Sequence, residues 1–333
     1  MKFSLIVCTY MRPKALTDLL ESVEKQSLYP NQIVIVDGSK NELTKEALKK
    51  KDYQNLEYHM VDDNNRGLTK QRNFGIGKLT DDIEVVCFLD DDIILSEKYF
   101  EKLISTYSQY PNAGGVGGYI TNEVVWRKLK EGEIISYGEY ESENWVRSIG
   151  SRNVIRKKLG LLSDKPPCIM PEFSNGFSIG FFPPIDKVYK VEHFMGGVSS
   201  FRKHVVDKIK FSTYFEGYGL YEDSDFCLRV SKKYDLYVNT AAKLAHFHEP
   251  SGRPNQFSYG KMVTRNGWYV WRVRHPKPSF KSKIKWNVIA VLLAIIRFTN
   301  ILKASSRKAA FTESMGRFYG LLTLIFNKPK VQY

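Results

Sequence analysis

The stretch Val85-Val86-Cys87-Phe88-Leu89-Asp90-Asp91-Asp92 decides the predicted fold, because an uninterrupted apolar run ends there on three carboxylates. Five consecutive apolar residues suffice for a strand buried on both faces and are too few for a helix. Adjacent like charges repel, so a cation is expected to compensate the triplet. Divalent cations such as Mg²⁺ prefer oxygen ligands and share them with substrate phosphates. The triplet alone is equally compatible with a solvated acidic turn.

Apolar runs and amphipathic segments alternate before the triplet. The predicted strands are 3–8, 33–36, 56–60 and 85–89, and the predicted helices are 16–23, 43–50 and 69–79. This alternation indicates βαβ units and a parallel sheet. Residues 1–105 therefore resemble a nucleotide-binding half, although the glycine-rich fingerprints of dinucleotide-binding and P-loop folds are missing. A metal ion and Arg or Lys side chains are expected to hold the phosphates instead.

The pattern becomes irregular from about residue 112. A glycine-rich strand is predicted at 114–120, and residues 123–190 form an aromatic, irregular insert that is typical of a lid or binding loop. Three short motifs follow this insert, where the strand and helix pattern becomes regular again. They are Gly196-Gly197, Glu222-Asp223-Ser224-Asp225-Phe226 and Ala245-His246-Phe247-His248.

The basic excess lies in one part of the chain. The protein has 333 residues and a net charge of +14, and residues 256–333 alone hold fifteen Lys or Arg against Glu313. Residues 1–255 therefore sum to zero. A basic nucleic-acid-binding protein would spread its charge over the fold, so the sequence argues against that function.

The same basic segment contains the apolar run Val288–Ile296, which is shorter than the ~20 residues that span a bilayer. Lysines and arginines flank this run, namely Lys281, Lys283, Lys285, Arg297, Lys303, Arg307 and Lys308. This combination favours an interfacial anchor on anionic lipid, and the alternative is a basic helix packed on protein.

The cysteines and the first residues predict the compartment. Cys8, Cys87, Cys168 and Cys227 are far apart and form no CxxC pair, which indicates neither a disulfide framework nor a zinc site and suits a reducing cytosol. The first ten residues contain only a six-residue apolar run, which predicts a strand and not a signal peptide.

Several motifs occur in an order that resembles a known family. They are Thr9-Tyr10-Met11-Arg12-Pro13, Asp37-Gly38-Ser39, Gly67, Arg72-Asn73-Phe74-Gly75-Ile76, the Asp triplet, Gly196-Gly197 and Glu222-Asp223-Ser224-Asp225-Phe226. Together, over about residues 3–250, they resemble the family 2 glycosyltransferases of the GT-A fold. The resemblance implies a nucleotide-sugar donor and inversion at the anomeric carbon.

The resemblance implies roles for the donor-binding residues. Thr9, Arg12 and Asp37 match positions that hold the base and ribose, since a carboxylate accepts hydrogen bonds from a ring N–H or a ribose hydroxyl. The alternative for Asp37 is a turn with a helix cap. Three further residues match the phosphate side, or else cap and pair on a helix surface. They are Lys70, Arg72 and Asn73.

The resemblance also implies a Mn²⁺ or Mg²⁺ site. Asp90 and Asp92 match its metal-binding DxD motif, with Asp92 the direct ligand, and Asp91 is expected to face the sugar or ribose. The ion would neutralise charge on the departing diphosphate. Some family members complete the site with a histidine at about the distance of His246 or His248. The sequence slightly favours His246, because it closes the last strand.

The acidic motif matches the catalytic base. An inverting transfer needs a carboxylate that takes the proton of the acceptor hydroxyl. The resemblance gives this role to Asp223, with Glu222 and Asp225 as orienting partners. Acidic residues in a first helical turn also favour the helix dipole, and both interpretations can hold together.

The sequence thus predicts an α/β, GT-A (Rossmann-like) fold, with a mixed, mostly parallel sheet flanked by helices and a helical basic C-terminal extension. Residues 1–255 are the expected catalytic domain, with a nucleotide-sugar-binding half at 1–105 and an acceptor-binding half at 106–255, and residues 256–333 are the extension. The expected activity moves a sugar, from a UDP-sugar by preference, to a glycan or lipid-linked acceptor in cell-surface polysaccharide or glycolipid synthesis. A metal-dependent nucleotidyltransferase is the enzymatic alternative. The expected location is cytoplasmic, at the inner face of the cell membrane, without nucleic acid as a partner.

Overall fold

The computed structural model describes residues 1–215, 217–248, 254–302 and 307–332. The chain forms two compact units, one of Met1–Val124 with Ile179–Arg253 and the other of Val125–Ser178 with Pro254–Tyr333. This division differs from the predicted one, which placed residues 125–178 in the catalytic domain. The insert instead shares a unit with the C-terminal helices.

The elements are as follows. The strands are β1 (Phe3–Thr9), β2 (Gln32–Asp37), β3 (Leu56–Met60), β4 (Val85–Asp90), β5 (Ile93–Leu95), β6 (Ala113–Ile120), β7 (Arg127–Lys128), β8 (Glu139–Ser142), β9 (Trp145–Ser148), β10 (Val188–Val191), β11 (Val198–Arg202) and β12 (Asp235–His246). The α-helices are α1 (Pro13–Glu24), α2 (Leu43–Leu48), α3 (Leu68–Ile76), α4 (Tyr99–Gln109), α5 (Ser151–Lys158), α6 (Lys203–Lys208), α7 (Glu222–Val230), α8 (Gln256–Arg274), α9 (Phe280–Thr299) and α10 (Arg307–Phe326). Short 3-10 helices cover Ile179–Phe181, Thr213–Phe215 and Asn300–Leu302.

A mixed sheet is the centre of the first unit. Among the described residues it has nine strands in the order β10-β12-β6-β11-β4-β1-β2-β3, with β5 paired to β12. Strands β4, β1, β2 and β3 are parallel, as predicted, and β11 is antiparallel to both β4 and β6. Since β12 is parallel to β6, the carboxyl ends of β1, β2, β4, β6 and β12 meet at one edge, where β11 begins.

Alternating side chains of β1 explain why helices cover both faces of the sheet. Leu5 and Val7 join a buried cluster that includes Leu16 of α1. Ile6 points to the opposite face, where a Cβ on Gly75 of α3 would lie 2.8 Å from its Cγ2. The glycine therefore lets α3 pack closely against the strand, and every residue of β1 from Phe3 to Val7 is buried.

The second unit joins the insert to the C-terminal helices by specific contacts. The Trp271 indole Nε1 of α8 donates to the carbonyl of Glu172 (2.8 Å), and the Trp271 ring stacks on Trp286 of α9 with centroids 5.2 Å apart. Helices α8 and α10 touch through their backbones, because a Cβ on Gly260 would lie 2.0 Å from the Glu313 carbonyl oxygen. These contacts explain why the insert groups with the extension. Strands β7, β9 and β8 form a small antiparallel sheet in the same unit.

Helix α9 is longer than the predicted apolar run. The helical segment Phe280–Leu302 is, by length and composition alone, long and apolar enough to cross a membrane, unlike the nine-residue run in isolation. The prediction counted only consecutive apolar residues and left out the helical turns on either side of them. Of the basic residues predicted to flank the run, Lys303 lies outside the described residues.

Candidate active site

The candidate site lies at the edge where the strands of the first unit end. Thr9, Asp37 and Asp90 are the last residues of β1, β2 and β4. The parallel register pairs Thr9 with Asp37 and Cys8 with Asp90, so the ends of the three strands are neighbours. Ligands of open α/β sheets bind at such an edge.

Asp91 is held inside the protein by the turn that follows β1. Thr9 Oγ1 donates to Asp91 Oδ2 (2.7 Å), and Arg12 NH1 donates to Asp91 Oδ1 (3.0 Å). Burial raises the pKa of Asp91 to about 6, and Arg12 and Thr9 oppose that rise. Both carboxylate oxygens of Asp91 have internal partners, and the expectation that it faces the sugar or ribose stays a prediction. These buried hydrogen bonds attach the turn that follows β1 to the Asp triplet.

Asp37 closes β2 with a turn, and it does not cap the next helix, because α2 has Glu42 at its N-cap. Its Oδ1 accepts the Ser39 amide (2.7 Å), and its Oδ2 accepts the hydroxyl of Tyr58 (2.8 Å). The carboxylate is fully buried. Tyr58, on β3, was not singled out in the sequence, and burial raises the pKa of its phenol. Each carboxylate oxygen has a second lone pair, so a hydrogen bond to a base or ribose remains chemically open.

Asp90, Asp92 and His246 form a group suited to a divalent cation. One candidate ligand atom from each residue lies within 4.8 Å of the others. His246 Nε2 is 3.1 Å from Asp92 Oδ1. Burial lowers the pKa of His246, but hydrogen bonds to Asp92 and Glu123 outweigh it and raise the pKa to about 10. A mixed set of carboxylate oxygens and one imidazole fits Mn²⁺ or Mg²⁺, so the residues present fit the expected ion.

The geometry distinguishes the two candidate histidines. His246 belongs both to this group and to a second one with Glu123 and His248. His248 Nε2 lies 2.9 Å from Glu123 Oε1, and the His248 side chain is half-exposed. The imidazole beside Asp92 is thus that of His246.

Arg72 connects the Asp triplet to the second acidic motif. Its NH1 lies 2.5 Å from Glu222 Oε1, and its NH2 lies 3.5 Å from Asp90 Oδ1. The guanidinium is buried between the rings of Phe88 and Phe211, with its carbon 5.7 and 5.2 Å from their centroids. The guanidinium is thus enclosed between two rings and two carboxylates, and the phosphate role expected for Arg72 stays a prediction. It holds two carboxylates that are 150 or 18 residues away in sequence.

Asn73 and Lys70, two further candidates for the phosphate side, are both half-buried residues of α3. Asn73 uses both ends of its amide on the Phe211 backbone, donating from Nδ2 to the carbonyl (2.9 Å) and accepting from the amide at Oδ1 (3.0 Å). These contacts attach α3 to the segment of Phe211, and the phosphate role expected for Asn73 stays a prediction. Lys70 lies in the first turn of the helix and is half-buried.

The carboxylates of the second acidic motif have different environments. All three lie in the first turn of α7, which follows Tyr221 in the left-handed conformation. Glu222 is buried, and burial raises the pKa of its carboxyl while Arg72 opposes that rise. Asp225 is fully buried beside Arg229 (2.6 Å). Asp223 is half-buried and accepts the amides of Ser224 (2.7 Å) and Gly196 (3.2 Å).

The Gly196-Gly197 segment separates the two acidic groups at close range. A Cβ on Gly197 would lie 2.1 Å from Asp90 Oδ2, and a Cβ on Gly196 would lie 2.6 Å from Glu222 Oε1. Neither position has room for a side chain. The segment therefore brings Asp223 and the candidate metal ligands to the same place, which is a role that the sequence motif alone did not reveal.

Glu123 is the site residue that sequence reasoning missed. It follows β6, in a region that the prediction treated as an irregular insert. Its signal is its position just beyond a strand that ends at the same edge as β4. That signal becomes readable only when the direction of the glycine-rich strand is known.

Comparisons with known proteins agree with this arrangement. The profile of glycosyl transferase family 2 matches residues 4–172, just over half of the chain. The protein therefore belongs to glycosyl transferase family 2. The sheet, with its flanking helices and C-terminal helical extension, has the predicted GT-A architecture.

Individual relatives share parts of the chain. It is 35% identical over 131 residues to a glucosyl-dolichyl phosphate glucuronosyltransferase of Haloferax volcanii, covering 38% of this chain and 41% of that protein. It is 32% identical over 121 residues to an O-antigen chain rhamnosyltransferase of Salmonella typhimurium, covering 35% and 37%. The matches thus span about two fifths of the length of these relatives.

A solved structure supports the fold over a longer range. A mannosyltransferase of Pyrobaculum calidifontis, in complex with GDP-Man and Mn²⁺, superposes with a TM-score of 0.56 over 98% of this chain and 88% of that chain. The two sequences are 12% identical. At this identity the likeness concerns the fold.

Proposed function

We propose that the protein transfers a sugar from a nucleotide-diphosphate donor to an acceptor hydroxyl, with inversion at the anomeric carbon. The observation that carries the proposal is the Gly196-Gly197 segment, which packs on Asp90 on one side and binds Asp223 through an amide on the other. A group that can hold a cation and a carboxylate that can accept a proton are thereby placed next to each other. Both are needed for an inverting transfer.

Each candidate residue has a defined part in this mechanism. Asp90, Asp92 and His246 would hold Mn²⁺ or Mg²⁺, which supplies charge neutralisation to the departing diphosphate when bound. Asp223 accepts the proton of the acceptor hydroxyl as its oxygen forms the new bond to the anomeric carbon and the bond to the diphosphate breaks. The amides of Gly196 and Ser224 orient Asp223 for this step.

On the donor side, the proposal places the base and ribose near the end of β2, where Asp37 still has lone pairs to accept hydrogen bonds. Thr9 and Arg12 support this region through Asp91. Lys70 remains the candidate for a phosphate contact, since it is a half-buried cation in the first turn of α3, where a helix dipole also favours anions. We propose a UDP-sugar as the donor.

The acceptor proposed is a glycan or lipid-linked sugar of cell-surface polysaccharide or glycolipid synthesis. Two relatives support this class, because their names refer to a dolichyl phosphate sugar and to the O-antigen chain. Such acceptors would be used at the inner face of the membrane.

The exposed face of α9 supports a membrane location. Seven apolar side chains recur every three or four residues along the helical segment that begins with α9, and each is at least 39% exposed. They are Phe280, Ile284, Val288, Val291, Ile295, Phe298 and Leu302. This spacing places them on one face of the helix, and we call them the α9 stripe. With Lys281, Lys283 and Lys285 at one end of the same helix, the stripe suits an anionic lipid surface.

A donor screen tests the proposed activity. Full-length protein is incubated with Mn²⁺ and a panel of nucleotide-diphosphate sugars, and the unfolding midpoint is recorded with each. A true donor binds the native state and should raise the midpoint by mass action. Release of the nucleoside diphosphate should then depend on an added acceptor. A panel in which no sugar nucleotide shifts the midpoint, while a nucleoside triphosphate does and releases pyrophosphate, would favour nucleotidyl transfer instead.

A further inference from the structure

We infer that Glu123 is a positioning residue that presents His246 to the metal ion. The inference rests on the proposed metal-dependent function and adds a residue that neither the motif pattern nor the family match assigns. Its basis is the geometry around one imidazole ring, which lies between two carboxylates.

The two ring nitrogens of His246 have different partners. Nδ1 lies 3.0 Å from Glu123 Oε1, and Nε2 lies 3.1 Å from Asp92 Oδ1. A carboxylate only accepts hydrogen bonds, so Glu123 keeps the proton on Nδ1. An ion on the side of Asp90 and Asp92 would displace the proton from Nε2, and the ring would then face it with the Nε2 lone pair. Carboxylate–histidine pairs orient metal ligands in this manner.

The backbone around His246 is held from both sides. Asn122 Nδ2 donates to the His246 carbonyl (2.9 Å), and the His246 amide donates to Asn122 Oδ1 (2.9 Å). The next amide, that of Phe247, donates to the Asp92 carbonyl (2.9 Å). The end of β12 is thus attached both to the segment that carries Glu123 and to the Asp triplet. Only the rotation of the ring is left for Glu123 to determine.

The same residues also form the group Glu123, His246 and His248, which could be taken for a separate ion site. One oxygen, Glu123 Oε1, lies at hydrogen-bond distance from both rings, 3.0 Å from His246 Nδ1 and 2.9 Å from His248 Nε2. A nitrogen that donates to Glu123 cannot also ligate an ion. The group with Asp90 and Asp92 offers two carboxylates to a cation, whereas the group with His248 offers only that of Glu123. We therefore place the ion with Asp90 and Asp92, and Glu123 accepts hydrogen bonds from both rings.

The test measures Mn²⁺ binding to full-length protein by the loss of the free-ion signal in electron paramagnetic resonance, without nucleotide. Glu123→Gln should weaken binding about 10–100-fold, the usual effect of losing such a partner. Glu21→Gln, a charge-matched change at an exposed position of α1, should bind as the unaltered protein does, and Glu123→Asp should recover part of the affinity. The concentration of Mn²⁺ that gives half-maximal stabilisation against heat should shift in parallel, which a purely structural defect would not produce.

Three outcomes separate the hypotheses. Unaltered affinity in Glu123→Gln, with lost affinity in Asp92→Asn, would overturn the positioning role and leave the proposed metal site intact. Equal losses in Glu123→Gln and His248→Gln, with Asp92→Asn unaffected, would show a separate ion site and overturn the inference. Unaltered affinity in all three variants would contradict the proposed metal site itself.

Discussion

At the scale of single residues, the two adjacent acids Glu222 and Asp223 have different tasks. Glu222 is buried and bound to Arg72, so its carboxylate is not accessible to the hydroxyl group of a sugar acceptor. Asp223 is half-buried and accepts hydrogen bonds from two backbone amides, which leaves lone pairs for an incoming hydroxyl. We therefore propose Asp223 as the base, the assignment that the family resemblance implied.

The first prediction follows from this difference. Asp223→Asn retains the size of the side chain and an acceptor oxygen for the Gly196 amide, but it cannot take up the proton. Turnover should fall by about 10²–10⁴-fold, as for other lost general bases, while the donor still raises the unfolding midpoint. Steady-state rates and donor-induced midpoint shifts are compared for Asp223→Asn and Glu222→Gln. Normal turnover in Asp223→Asn with an inactive, folded Glu222→Gln would show that the two roles are reversed.

The second prediction concerns the buried charge of Arg72. Arg72→Met should destabilise the protein by about 3–5 kcal/mol at neutral pH, because it leaves the Glu222 carboxylate buried without its partner. Burial already raises the pKa of Glu222, and without the guanidinium that pKa should rise further. When the pKa of a carboxyl group is higher in the folded than in the unfolded state, the free energy of unfolding falls as the pH rises from the unfolded-state pKa to the folded-state pKa.

The deficit of Arg72→Met should therefore shrink as the pH is lowered, since Glu222 then becomes protonated and neutral. Urea unfolding at several pH values measures it. Arg127→Met, which removes an exposed arginine that also pairs with two glutamates, is the matched control and should change stability little. A deficit that is constant with pH would mean that lost packing against Phe88 and Phe211, and not charge, is its cause.

At the scale of elements, the site depends on how closely the segment before β11 approaches the end of β4. Gly197 has no room for a methyl group, because its Cβ would lie 2.1 Å from Asp90 Oδ2. The glycine therefore allows the carboxylate to keep the orientation that faces Asp92 and His246. This is a steric requirement at a backbone crossing, not a need for an unusual backbone angle.

The third prediction is that Gly197→Ala should turn the Asp90 carboxylate away and weaken Mn²⁺ binding by at least tenfold, the order of loss seen when a metal ligand is misplaced. Gly138→Ala is the control, since the nearest atom to its added Cβ would be 3.5 Å away, an ordinary contact. Metal titration and unfolding midpoints of both variants provide the measurement. Unchanged Mn²⁺ affinity in a folded Gly197→Ala protein would exclude Asp90 from the metal site.

The parallel part of the sheet was predictable because β1, β2 and β4 are continuous apolar runs that end in polar turns. The polar residues at the ends of these runs also predicted a site at the Asp triplet. The ion pair of Arg72 with Glu222 was not predicted, because the two residues are 150 positions apart and no local pattern encodes such a pair. Glu123 was missed because the glycines of β6 lack the side chains from which a strand's direction and faces are read. The grouping of residues 125–178 depends on long-range packing, which periodicity does not report.

At the scale of the whole molecule, charge and apolar exposure coincide in one unit. Residues 256–333 carry all of the excess positive charge, and the α9 stripe belongs to the same segment. Removing the extension would take away the helices that share a compact unit with Val125–Ser178. Point substitutions in the stripe are therefore a cleaner test of membrane binding than truncation.

The fourth prediction is that full-length protein floats with anionic liposomes at low salt and less at high salt, because each basic residue near the surface contributes about 1 kcal/mol that salt screens. Val288→Asp with Ile295→Asp should reduce flotation strongly at either salt concentration, since both side chains are exposed on the stripe. Leu28→Asp with Leu43→Asp, two exposed apolar residues of the first unit, adds the same charge without touching the stripe and is the control. A full-length protein that stays in solution at low salt would end the membrane proposal.

We propose that Asp90, Asp92 and His246 hold a divalent ion that sugar transfer requires. The most direct test of this proposal measures transfer by full-length protein with Mn²⁺, with EDTA, and in the variant Asp92→Asn, once the donor screen has supplied the sugar nucleotide. EDTA should abolish transfer, and added Mn²⁺ should restore it. Asp92→Asn should stay folded but inactive at any Mn²⁺ concentration. Full transfer in EDTA, or normal transfer by Asp92→Asn, would contradict the proposal.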